Sequence, residues 1–397
     1  MNRRFFLKGA ALAGCSVAAH PFLTTVTLAD APWESRLVVI VLRGAMDGLD
    51  VVRPVGDPDY ALQRPDLSEG TLDLDGYFGL HPALAGLLPL WAAGELGFVH
   101  AVSTPYRDKR SHFDGQDLLE AGTGMDVPLG TLRDGWLNRM LQAVPGLSAE
   151  TAYAIGRDEM PVLAGAAPVS NWAPDLRLPL TAQNRRLLEE VYHDDPLFRA
   201  AASEAMTLAD LLAVEDSADP MASAMEKAPG GAKAQIDSLV DFTAGRLRGQ
   251  TRIAAFSQSG WDTHAGQKTA IQKPLAGLER TLLRLKDRLG PVWGQTTVLA
   301  MTEFGRTVRE NGSRGTDHGT GGVMLLAGGA IRGGRIYGRW PGLAESDLYD
   351  RRDLLPTSDV RAHAAWTMRG LYGFDRSVLE GAIFPGLDMG ADPGFIL

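Results

Sequence analysis

The sequence predicts an α/β fold with a doubly wound, mostly parallel sheet. Two patterns carry that expectation. Short apolar runs rich in β-branched residues recur along the chain, and segments of helical spacing stand between them. Size agrees: 397 residues, 45% of them apolar, suffice for one large core and exclude disorder for most of the chain.

The first segment is set apart from the fold. Arg3 and Arg4 precede Phe5, Phe6, Leu7 and Lys8, and an Ala- and Gly-rich stretch of weak hydropathy follows. A basic head, an apolar middle and a small-residue end make residues 1–31 an export signal of twin-arginine type. Its partner would be the twin-arginine export machinery, and the product would reach the periplasm or the exterior. Cleavage is expected after Ala31, in Ala29-Asp30-Ala31. A second exit is a lipid anchor at Cys15, in the lipobox-like Leu12-Ala13-Gly14-Cys15. No later segment has the ~20 continuous apolar residues needed to span a bilayer.

Beyond the signal, RLVVIVLRGA (36–45) predicts a buried central strand. A helix over 81–93 leads to a second strand at 95–102, and a helix begins near Ser111. Strands follow at 251–260, 296–305 and 322–329, with a helix over 271–290 between the first two. The rest of 32–397 is expected to form one domain. Within it, 145–245 is poor in apolar runs, and it reads either as a mainly helical cap or insertion or as sheet-covering helices.

Ligands of an open α/β sheet bind beyond the carboxyl ends of its strands, so the residues at those ends matter. Asp47 and Asp50 follow the first strand in RGAMDGLD, and Ser111, His112 and Asp114 follow the second. Asp262 and His264 follow the third in SGWDTH. Glu303 ends the fourth, and Asp317 and His318 lie in RGTDHGTGG, which leads into the fifth. Together they form a mixed oxygen and nitrogen ligand set for one or two divalent metal ions, among Zn, Mn, Fe, Mg and Ca. His112 has a second reading as part of a helix cap. His81 precedes Pro82 at a helix start and reads as a cap, whereas His100, His193 and His363 read as structural.

Arg110 and Arg306 flank these segments and could neutralise an anion. Ser111, at a helix N-terminus, is either a capping residue or a nucleophile activated by a base or a metal. Gly315, Gly319, Gly321 and Gly322 surround Asp317 and His318, where they permit tight turns and close approach to a ligand.

Several function classes drop out. A net charge of −9 argues against a general nucleic-acid binder, and a single Cys excludes a disulfide framework and thiolate metal sites. Neither a GxxxxGK[ST] loop nor a GxGxxG after the first strand is present.

The motifs RGAMDGLD, RSHFDGQD, GWDTH, MTEFGRT, GTDHGTGG and GGRIYGRWPGL, with the twin-arginine start, together resemble the DUF1501 family of exported bacterial proteins. That family is grouped with the alkaline phosphatase/sulfatase-like superfamily. The resemblance implies one or two metals at the strand ends, with Asp47 as a first-strand metal carboxylate and Ser111 as the nucleophile. It also implies that Asp317 with His318 forms an Asp-His pair, and that Asp262 with His264 serves a second metal. Glu303 and Asp317 compete for one ligand position. The expected activity is metal-dependent hydrolysis of a small phosphate or sulfate ester by an activated Ser or water. The alternatives are a metal-dependent enzyme of another class on the same scaffold, and a non-catalytic exported binding or assembly protein.

Overall fold

The protein is described by a computed structural model over residues 31–107, 109–127, 134–174 and 232–397. The twin arginines, Cys15 and nearly all of the expected signal lie outside these residues, as does the middle of the 145–245 section.

The chain begins with β1 (Arg36–Arg43), then a single turn α1 (Gly48–Val51). Strands β2 (Val52–Arg53), β3 (Leu72–Asp73) and β4 (Gly79–Leu80) make a small antiparallel sheet. The helix expected over 81–93 is a 3-10 segment, Pro82–Leu87, running into α2 (Leu88–Ala92). Pro82 and Pro89 each open one of these pieces, where their missing N–H groups cost no intrahelical bond. Next come β5 (Leu96–Ser103), α3 (His112–Ala121), α4 (Trp136–Gln142), β6 (Ala152–Ile155) and β7 (Ser170–Trp172). Then follow α5 (Ala232–Arg248), β8 (Ile253–Ser259), α6 (Gln272–Leu289), β9 (Thr296–Met301) and β10 (Gly322–Ala327). β11 (Ile336–Tyr337), β12 (Ser358–Asp359) and α7 (Val360–Tyr372) follow, and two short helical segments, Arg376–Val378 and Leu379–Ile383, come last.

The main sheet runs β11-β5-β10-β9-β1-β8-β6-β7, with β12 also beside β5. β1 sits between β8 and β9 and is parallel to both, and β6 and β7 extend the parallel run. β10 is antiparallel to β9 and to β5. This is the expected α/β, doubly wound, mostly parallel sheet.

Alternate residues of β1 enter opposite cores, which is why the strand reads as a continuous apolar run. Leu37, Val39 and Val41 join Trp136, Met140, Ala365 and Met368, the face covered by α4 and α7. Val38, Ile40 and Leu42 join Val240, Leu247, Leu278 and Leu285, the face covered by α5 and α6. In α6 the buried residues Leu275, Leu278, Leu282, Leu285 and Leu289 recur at three- and four-residue spacing and form one stripe.

The sequence reading places no strand in 145–174, yet β6 and β7 lie there and lengthen the main sheet. At four and three residues they are too short to give a period. At the other end of the section, α5 packs on α6 as a sheet-covering helix. It is tied there by Asp237 and Asp241 to Arg280 and Arg284. Among the described residues, no helix is long and apolar enough to cross a membrane.

Candidate metal centre

Two loops and one helix deliver the polar side chains at the carboxyl edge of the sheet. β8 ends at Ser259 and the chain turns through Asp262 and His264. α3 opens with His112, capped by Ser111, whose Oγ accepts from Asp114 N at 3.4 Å. The long β9–β10 connection carries Glu303, Arg306, Asp317 and His318. Asp317 and His318 precede their strand, and they reach this edge because β10 runs opposite to its neighbours.

Two glycines let these loops meet. A Cβ on Gly315 would lie 2.1 Å from the carbonyl carbon of His264, and one on Gly305 would lie 1.8 Å from the Gly321 oxygen. Close approach is therefore required at both positions: Gly315 meets another loop's backbone and not the ligand expected from the sequence, and Gly305 meets the far arm of its own connection.

Four side chains converge on one point. Asp262 Oδ1 lies 3.3 Å from His112 Nε2, 3.0 Å from His264 Nε2 and 3.2 Å from His318 Nε2. His264 Nε2 and His318 Nε2 are 2.9 Å apart. The ligand atoms of His112, Asp262 and His318 all lie within 4.8 Å of one another, a group able to hold a metal ion.

The far nitrogen of each ring fixes its orientation. His112 Nδ1 donates to Glu303 Oε1 at 2.7 Å, His264 Nδ1 to Asp317 Oδ1 at 3.2 Å, and His318 Nδ1 to the Arg110 carbonyl at 2.7 Å. A carbonyl and ionised carboxylates can only accept, so each Nδ1 must carry the proton. Each ring so tethered turns its Nε2 toward the shared point, the arrangement in which a partner behind a histidine orients it for a metal. His112 Nε2 is buried and makes no hydrogen bond. Imidazole nitrogens and a carboxylate oxygen facing one point are the donor types divalent metals take, so the donor set fits a metal.

Charge is arranged to match. Burial alone would raise the Asp262 carboxyl, but the hydrogen bond and positive charge of Arg306 hold it down at about 2. Burial likewise works against the Glu303 carboxylate. Bonds from His112, Gln116 and Thr302 outweigh it, and the group stays below its usual range. In return, the Glu303 hydrogen bond raises His112, whereas burial lowers His318. The Asn311 amide, then His264, lowers Asp317.

The remaining expected site residues are placed differently. Asp47 does not join the cluster. Both its oxygens accept from Arg64 Nη1 at 2.8 Å, Oδ2 also accepts from Gln267, and the side chain caps α1. With a guanidinium filling its coordination, it is a closed ion pair and not a metal ligand. Glu303 and Asp317 touch imidazole Nδ1 atoms and so stand behind the ligands.

Arg306 is fully buried, so it cannot reach a substrate. It donates to the carbonyls of Gly44, Ala45, Trp261 and Thr316 and to Asp262 Oδ1 at 2.5 Å, which makes it a positioning residue. Arg110 contributes its backbone carbonyl to His318, with φ at 51°, and aims its guanidinium at Asp353. His81 caps its 3-10 segment through Nδ1, which accepts from Ala83 N. His363 is buried and pairs with Ser358, and His193 lies outside the described residues. Arg64, Gln116, Gln267 and Asp353 went unnoticed in the sequence, because none lies in a run or spacing that distinguishes it from surface polar residues.

The model of the family described as "Protein of unknown function (DUF1501)" matches residues 101–376, most of the chain and every member of the cluster. The chain belongs to the DUF1501 family. No curated protein matches its sequence significantly. Among solved structures, this DUF1501 chain is similar to a protein in the alkaline phosphatase superfamily from Vibrio parahaemolyticus. The identity is 12%, the TM-score 0.37, and the coverage 85% of this chain and 72% of that one. It is also similar to the lipoteichoic acid synthase LtaP from Listeria monocytogenes, at 8% identity, TM-score 0.41, and 93% and 78% coverage. The C-terminal periplasmic domain of EcEptC from Escherichia coli, in complex with Zn, gives 11% identity, TM-score 0.33, and 75% and 74% coverage. The DUF1501 chain has a scaffold able to hold a metal ion at His112, Asp262 and His318.

Proposed function

We propose that this protein is an exported, metal-dependent hydrolase of phosphate or sulfate esters. The observation carrying the reading is the convergence of three tethered imidazoles and Asp262 on one point. His112, His264, His318 and Asp262 would hold one divalent ion. Three nitrogen donors and one oxygen favour Zn, Mn or Fe over Ca or Mg, which take oxygen sets. An ion bound there supplies Lewis acidity at phosphorus or sulfur and lowers the pKa of a nearby hydroxyl or water.

The protein's own groups prepare that chemistry. Glu303, Asp317 and the Arg110 carbonyl accept from the Nδ1 atoms and turn each Nε2 toward the shared point. Arg306 keeps Asp262 ionised and fixed. The first turn of α3 begins at His112, so the positive end of that helix lies beside the centre and favours a negative ester oxygen. Water, or Ser111 in a two-step route, would add to phosphorus or sulfur as the ester oxygen departs and takes a proton.

Metal analysis of the purified, folded protein is the first test. About one ion per chain is expected, and His318→Ala should lower metal affinity by roughly a hundredfold or more. Full occupancy in a folded His318→Ala variant would refute the site. Turnover of aryl phosphates and aryl sulfates, compared with Ser111→Ala, then decides between serine and water. Metal occupancy without any turnover would favour a redox or isomerase use of the nitrogen-rich donor set, or a metal-binding scaffold.

A further inference from the structure

Beside the imidazole cluster stands a second, differently charged group. The segment 305–308 lies between two others, bridging Arg306 to His318 on one side and Thr307 to Asp353 on the other. Thr307 N donates to the Asp317 carbonyl, and Val308 N to the Arg352 carbonyl. Asp353 is thus held next but one to the metal-binding loop. It is fully buried, and three side chains meet it. Thr320 Oγ1 donates to Oδ2 at 2.9 Å, Arg110 Nη2 approaches Oδ2 at 3.4 Å, and Arg352 Nη1 donates to Oδ1 at 3.0 Å.

Two guanidiniums therefore share the Asp353 carboxylate, and Arg352 also faces the negative charge of Asp317. Asp317 takes its hydrogen bonds from Asn311 and His264 and not from either arginine. Each arginine spends only one nitrogen on Asp353, and among the described residues no other side-chain hydrogen bond is found for either. Both remain reachable from solvent, at 34% exposed for Arg110 and 37% for Arg352. Buried structural arginines such as Arg306 and Arg64 show the contrast, because their forks are filled by carbonyls and carboxylates.

We infer that Arg110 and Arg352, braced by Asp353, form a clamp for the terminal oxygens of a tetrahedral oxyanion ester held at the metal centre. The inference rests on the hydrolase reading and adds to it the residues that bind the anionic head. A planar guanidinium fork matches phosphate and sulfate oxygens, and two forks anchored on one carboxylate are pre-oriented for them. The ester's remaining group would project away from the arginines, so the clamp selects for the charged head.

Inorganic phosphate and sulfate serve as probes, titrated calorimetrically into the metal-loaded and the chelator-treated protein, with metal content measured on the same samples. Both anions should bind, more weakly as salt rises, and acetate should bind less well. Arg352→Gln and Arg110→Gln should each weaken binding by about tenfold with metal content unchanged, and Arg352→Lys should lose less. Circular dichroism identifies any variant that misfolds, and the second arginine then carries the test. Unchanged phosphate affinity in both folded glutamine variants would overturn the clamp while leaving the metal reading intact. Arginine-dependent phosphate binding in a protein that never holds metal would uphold the clamp and remove the metal reading.

Discussion

Two groups of charged side chains stand past the strand ends, and they are built in opposite ways. Around α1, Asp47 is held by Arg64, Asp50 by Arg53 at 2.7 Å, and Gln267 donates to both carboxylates. Every negative charge there has its own cation. At the ends of β8 and β10, three imidazoles and Asp262 meet instead around one shared cation, Arg306, and their far nitrogens are all occupied. The first group is finished and the second is not. An acid at a strand end thus gains functional meaning from what its neighbours leave unsatisfied.

The finished group should yield most to acid. Burial lowers His81, beside Asp50, and His100, against the Val52 carbonyl, to about 4, so both rings are neutral in the folded state. The unfolded chain binds those protons near pH 6.5. Stability is therefore full above that value and falls as pH drops from about 6.5 to about 4, by on the order of 3 kcal/mol for each ring. Denaturant unfolding of chelator-treated protein across this window checks the slope, and a flat profile would contradict it.

Asp47→Ala is expected to cost about 3–5 kcal/mol by stranding the buried Arg64, with metal per folded chain unchanged. Loss of metal from a folded Asp47→Ala variant would merge the two groups into one. Glu303→Gln acts on the unfinished group and should weaken metal affinity by roughly 10- to 100-fold, as read by chelator competition. The smallest change is expected for Arg110→Gly, which keeps the carbonyl against His318 and suits a positive φ. Its metal affinity should stay within about twofold of wild type.

The five long strands and the α6 stripe were legible because their apolar periods are set by burial on both faces. β6 and β7 were not, since neither is long enough to show a period. At the cluster, Asp262, His264, His112 and His318 stood out as strand-end ligands in glycine-rich loops, and they do meet. Asp47 had the same sequence signature and a different fate. What separates it is Arg64, in a QRPD stretch with no feature to mark it. Glu303 and Arg306 were visible as polar residues of the right loop, but their roles depend on direction: one faces the back of an imidazole, the other a ring of carbonyls. Composition cannot encode which way a side chain points.

The reversed course of β10 bears on how the molecule acquires its site during folding. A single hairpin-like excursion between β9 and β10 supplies His318, Asp317, Glu303 and Arg306, whereas His112 and His264 come from distant stretches of chain. The ion's pocket closes only after β5, β8 and this excursion have all docked. Retained metal in a refolding time course should therefore mark the last step of sheet assembly, and circular permutants cut within residues 307–316 should be the slowest to recover it.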